Sequence, residues 1–213
     1  MTDANVTVRR TTADLAPADF DNPVWEIADR IVVSTYWDGA PAPSGRHFEA
    51  RLLWSVMALY VRFEAEQDEP LVVIDDPDLR SKTMNLWDRD VCEIFIAPQA
   101  DEPRRYFEFE IAPTGEWLDV AINSTGAERR ADWNYRSGME SASRIRPGRI
   151  SMSIRIPLAA LGASPTAGDV WLGNIFRCVG RDPSRGYLAW RPTLTERPNF
   201  HVPERFGDFV FVE

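Results

Sequence analysis

The chain has 213 residues, 44% of them hydrophobic, enough for one sizeable core and in keeping with a single all-β domain over 1–213. Sixteen prolines and twelve glycines interrupt it too often for a helical bundle. A net charge of −9 with no Lys/Arg stripe argues against nucleic acid as a partner and disfavours anionic polysaccharides.

The opening MTDANVTVRRTT holds no apolar stretch of the signal-peptide kind, and no run of about 18 apolar residues occurs, so no membrane span is expected. As given, the chain is expected to be cytoplasmic, or secreted if a leader has been trimmed. The first predicted strand is the β-branched run 31–35. Residues 48–54 and 59–65 follow as a hairpin around a brief turn; in the second arm Leu59, Val61, Phe63 and Ala65 alternate with Tyr60, Arg62 and Glu64. About twenty residues, 68–87, then run without periodicity, and loops of that length are commonly functional or disordered. Asp75, Asp76 and Asp78 within it form a small oxygen-ligand cluster that could suit calcium.

The most informative stretch comes next. In 91–97, Cys92, Ile94 and Ile96 alternate with Val91, Glu93 and Phe95; in 106–112, Phe107, Phe109 and Ile111 alternate with Tyr106, Glu108 and Glu110. Period-two alternation sends successive side chains to opposite faces. If the strands are neighbours, Glu93, Glu108 and Glu110 share a face bordered by Trp87. Glu93 and Glu108 are the better ligand candidates, and Glu110 is expected on a solvated face. Like charges there would call for an arginine among them, such as Arg177. Residues 117–123, 149–156, 170–179 and 205–212 complete the strands, with one short helical turn at 157–161 between a proline and Gly162. The pattern predicts an antiparallel β-sandwich, jelly-roll-like, with few helical turns. The stretch 181–203 is a second long loop and carries Tyr187 and Trp190. Aromatics on both loops suggest a clamp on a ligand; the alternative is that each packs beneath its own loop. Cys92 and Cys178 are expected as buried free thiols.

Three function classes remain open on the residues alone. An acidic, aromatic-edged sheet face suits recognition of a polyhydroxylated ligand. A glycoside-processing enzyme could use the same carboxylates. A haem-binding sandwich would draw on His47, His201, Met57, Met84 or Lys82, the chain's one lysine.

Eight segments, in order, resemble carbohydrate-binding module family 9, especially its family-9-like branch: NPVWEIAD (22–29), ALYVRFEAEQDEP (58–70), LWDRDVCEIFIAP (86–98), YFEFEIAPTGEWLDV (106–120), ISMSIRIPLAALG (150–162), VWLGNIFRCVG (170–180), YLAWRPT (187–193) and NFHVPERFGDFVF (199–211). The resemblance implies a β-sandwich that binds a mono- or oligosaccharide, often at a chain end, between two aromatic rings and without catalysis. By motif it makes Trp87 and Trp190 the clamp, Glu93 the carboxylate at it, Asn174 and Arg177 the polar pair of the late strand, and Glu108 a further inward polar contact. It requires no cofactor beyond a structural calcium in some members. Cys92 stands where the family pattern has a polar residue.

Overall fold

Every alternating run is a strand in the computed structural model, which describes residues 5–126 and 128–213. Among the described residues the strands are β1 (Asn5–Arg10), β2 (Ile31–Val33), β3 (Phe48–Trp54), β4 (Ala58–Glu66), β5 (Val91–Ala97), β6 (Arg105–Ile111), β7 (Trp117–Asn123), β8 (Arg130–Asp132), β9 (Glu140–Arg146), β10 (Arg149–Pro157), β11 (Val170–Val179), β12 (Gly186–Ala189) and β13 (Gly207–Val212). They form one hydrogen-bonded ladder in the order β8-β7-β6-β5-β11-β13-β1-β3-β4-β10-β9, with β12 against β11 and β2 against β3. Pairs are antiparallel except those of β1, which runs parallel to both β13 and β3.

The ladder curls so that its two halves face one another as a sandwich. Leu52, Phe63 and Met152 from β3, β4 and β10 join Ile94, Phe109 and Ile175 from β5, β6 and β11 in one core cluster. These are the apolar sides of the alternating runs, so the period-two pattern carries the packing directly. The helical content is short 3-10 turns. One, Leu158–Leu161, follows β10 and stops at Gly162, whose φ of +65° suits a residue without a Cβ. Both cysteines are buried and unpaired.

Of the strands absent from the pattern, β8 and β12 are short and β9 is polar, whereas β1 does alternate, with Val6 and Val8 buried in the core, and was missed in the opening segment. β9 reads Glu-Ser-Ala-Ser-Arg-Ile-Arg and sits at a sheet edge against β10 alone, so no buried face marks it.

A second apolar layer lies on the outer face of β5, β6, β7 and β11. Phe95, Tyr106, Val120, Ile122 and Phe176 are covered there by Leu86 and Phe200 from the two long loops. All seven residues of β5 are therefore buried: one face meets the core and the other lies under the loops. This outer layer positions the site.

Candidate functional site

Register places the carboxylates together. Glu93 on β5 is opposite Glu110 on β6 and Phe176 on β11, and Glu108 is opposite Phe95. Directly opposed residues in an antiparallel pair point to the same face. The carboxylate oxygens of Glu93, Glu108 and Glu110 come within 4.8 Å of one another, and all three side chains are buried. The expected solvated face for Glu110 is thus corrected: Glu110 is 0% exposed, because the loop layer closes over the strand pair.

Burial dominates the electrostatics. It pushes the Glu93 carboxyl well above the ordinary carboxylate range, with the Glu108 charge adding to it; the Cys178 thiol, 3.5 Å from Oε1, and Arg185 pull back. Glu108 is raised by burial against the pull of Glu110 as a hydrogen-bond partner and of Arg129. Glu110 is raised well above its ordinary value by burial and then by the charges of Glu93 and Glu108.

Glu93, Phe95, Glu108 and Cys178 line one side of a cavity of about 340 Å³. Trp87 and Trp133 form an aromatic wall with ring centroids 6.1 Å apart and planes inclined by 35°. Tyr187, Asn199, Phe200 and His201 also line it, and Asp88 and the exposed Arg129 complete the charged lining. Trp87 lies in a 3-10 turn, Leu86–Asp88, entered through Asn85 in the left-handed region at φ 57°. Arg185 fixes that turn: its guanidinium donates to the carbonyls of Trp87 (2.6 Å), Arg89 (2.8 Å) and Gly180 (2.7 Å) and lies 5.6 Å from the Tyr187 ring centroid. One side chain so ties together the loops that bear Trp87 and Tyr187. His201 Nδ1 is 2.9 Å from the Tyr106 hydroxyl and 4.0 Å from Glu108. Burial and the Arg129 charge push its pKa down to about 3, so at neutral pH the ring is uncharged and makes no ion pair with Glu108.

Of the six residues singled out from the sequence, the structure brings Trp87, Glu93 and Glu108 to this cavity and places the other three elsewhere. Trp190, expected opposite Trp87, is 3% exposed in the sandwich core and stacks on Phe209 with planes 15° apart and centroids 5.8 Å apart. Arg177 projects to the other face of β11, where it donates to the Arg46 and Glu66 carbonyls at 2.7 Å and to Gln67, and so does not neutralise the glutamates. Asn174 spans the Arg191 backbone, donating to its carbonyl at 2.8 Å and accepting from its amide at 3.0 Å, and so pins the late loop without reaching the cavity.

The haem candidates do not converge. His47 Nε2 is 2.8 Å from the Ala42 carbonyl, Lys82 is in a buried ion pair with Asp119, and Met57 and Met84 are exposed elsewhere. Among the described residues the grouped metal-type ligands are the three glutamates and not Asp75, Asp76 and Asp78; Asp78 accepts from the Ser81 hydroxyl and the Arg80 amide. Trp133 and His201 were not foreseen as lining residues. Each sits in a stretch without periodicity, and an aromatic in such a stretch was the only available signal.

The family model described as carbohydrate family 9 binding domain-like matches residues 18–213. A candidate carbohydrate-binding protein of Bacteroides uniformis has the same fold at a TM-score of 0.76 and 18% identity, over 97% of this chain and 98% of that one. A family 9 carbohydrate-binding module of Caldicellulosiruptor kristjanssonii, solved with cellotriose, matches at 0.70 and 13% identity over 98% and 93% of the two chains. Its complex with glucose matches at 0.70 and 14%, over 97% and 95%. A protein of the fungus Arthroderma benhamiae, described as an extracellular protein, is 24% identical over 76% of this chain and 77% of its own length.

Proposed function

The chain belongs to the carbohydrate family 9 binding domain-like family, and on that premise we propose that it binds a neutral mono- or oligosaccharide in the Trp87 cavity without turning it over. The observation that carries this reading is the union, in one cavity, of the paired Trp87 and Trp133 rings with the carboxylates of Glu93 and Glu108. A sugar ring offers mildly apolar C–H faces to an aromatic wall and hydroxyl donors to a carboxylate. Tyr187 and the Asn199 amide add further aromatic and polar contacts. At about 340 Å³ the cavity lies at the small end of ligand pockets, which suits a chain end or a single unit. The relatives solved with glucose and cellotriose support the ligand class.

Desolvation of the hydroxyls and fixation of the sugar offset most of the contact energy, so the expected affinity is micromolar to millimolar. Glycoside hydrolysis would need an acid and a base or nucleophile flanking the scissile bond, so product analysis accompanies the binding test. Calorimetric titration with glucose and cello-oligosaccharides, extended to a glycan array, tests the reading. Trp87→Ala is expected to weaken binding by about tenfold or more, the loss of one stacked ring. If no sugar on the array is retained, the reading is wrong. Release of reducing sugar that disappears in Glu93→Gln would instead make the protein an enzyme.

A further inference from the structure

We propose that Glu93, Glu108 and Glu110 form a binding site for one hard divalent cation of the calcium class, whose open coordination positions face the cavity and meet ligand hydroxyls; this last contact rests on the sugar-binding reading, the ion site does not. The donor set consists of carboxylate oxygens within 4.8 Å of one another, and oxygen-only sets select hard cations over softer metals. Calcium tolerates the irregular geometry that three side chains from two adjacent strands provide.

Glu110 is the second, independent pointer. Among the described residues none donates a hydrogen bond to either of its carboxylate oxygens, although the side chain is 0% exposed. Its polar neighbour is the Glu108 carboxylate, and two carboxylates share a hydrogen bond only when one carries a proton. Ionised, Glu110 would be a buried anion with no cation beside it, which is costly, and among the described residues no arginine hydrogen-bonds to it. Arg185 is spent on three carbonyls, Arg129 is exposed, and Arg177 lies on the opposite face of β11. An ion is favoured over the ammonium group of a ligand by depth. Glu93 and Glu108 line the cavity, whereas Glu110 is fully buried and is not among the lining residues, yet its carboxylate comes within 4.8 Å of theirs, a span that one cation bridges.

The test uses the full chain, stripped with EDTA and titrated with calcium, manganese or magnesium chloride, read by calorimetry and by thermal unfolding. Calcium is expected to bind with a dissociation constant of about 1 mM or below and to raise the melting temperature. Glu110→Gln and, separately, Glu93→Gln keep shape and remove charge; each should weaken calcium binding by about tenfold or more. Glu110→Gln should also melt higher than the wild type when both are metal-free. No heat and no stabilisation from any of the three cations, or undiminished binding in both variants, would overturn the site. So would glucosamine binding far more tightly than glucose to the EDTA-treated protein with no cation response, because the carboxylates would then serve an ammonium ligand. Glucose and cellotriose affinities measured with calcium and with EDTA separate the two readings. Calcium binding without sugar binding keeps the ion site and removes the sugar reading together with the hydroxyl contact. Equal sugar binding under both conditions with no cation response removes the ion site and leaves the sugar reading standing.

Discussion

Trp87 and Trp190 show how far a residue's identity can be separated from its environment. Both are tryptophans carried by a long aperiodic stretch, and the sequence offers no reason to treat them differently. In the fold, Trp190 follows β12 and turns inward onto Phe209, while Trp87 lines the cavity beside Trp133. Their substitutions should therefore part company. Trp190→Ala removes a buried ring and is expected to cost about 3–5 kcal/mol of stability, as for other large aromatic truncations in cores, with sugar affinity per folded molecule unchanged. Urea unfolding alongside sugar titration measures both quantities. A Trp190→Ala protein that keeps its stability and loses its ligand would return this ring to the site. Glu110 carries the same lesson with the opposite sign: alternation gave its face correctly, but whether that face meets water depends on loops that periodicity cannot see.

At the level of elements, the strands of the core were legible because burial of one face leaves a period-two trace, and β3, β5, β7 and β11 begin and end where the alternation does. The cover over the outer face was not, since it is built by contacts between segments distant in sequence. Lys82 is the clearest case. Its ammonium donates to the carbonyls of Asp119 (2.5 Å) and Tyr135 (2.7 Å) and lies 2.5 Å from Asp119 Oδ1, while Asp119 Oδ2 accepts from the Ser137 amide (2.6 Å) and hydroxyl (2.7 Å). Nearby, the Trp117 indole donates to the Leu79 carbonyl at 3.2 Å and the Thr83 amide to the Trp117 carbonyl at 2.9 Å. The long loop before β5 is thereby strapped to β7 and to the segment that carries Trp133. In the sequence Lys82 was a possible haem ligand; in the structure it is a buried strut. Lys82→Met leaves Asp119 as an unpaired buried charge, and breaking such a pair is expected to cost about 3–5 kcal/mol. The same change should weaken sugar binding, because it loosens both indoles of the wall. Thermal unfolding and sugar titration check this pair of effects; an unchanged melting temperature would show that the strut carries no load.

Across the whole molecule, the ladder passes without a break from β8 to β9, and core side chains from both halves interlock. We expect far-ultraviolet circular dichroism and tryptophan fluorescence to report one coincident unfolding transition, since the main core is built by side chains of both halves together; two resolved transitions would argue for independent units. The join between the halves is β1, whose Asn5 through Arg9 pair in parallel with Asp208 through Val212 of β13. In that arrangement the incoming end of β1 and the outgoing end of β13 lie at opposite ends of the same ladder. Tension applied through those two ends acts along the strands, so all the rungs between them must give way together instead of peeling one at a time.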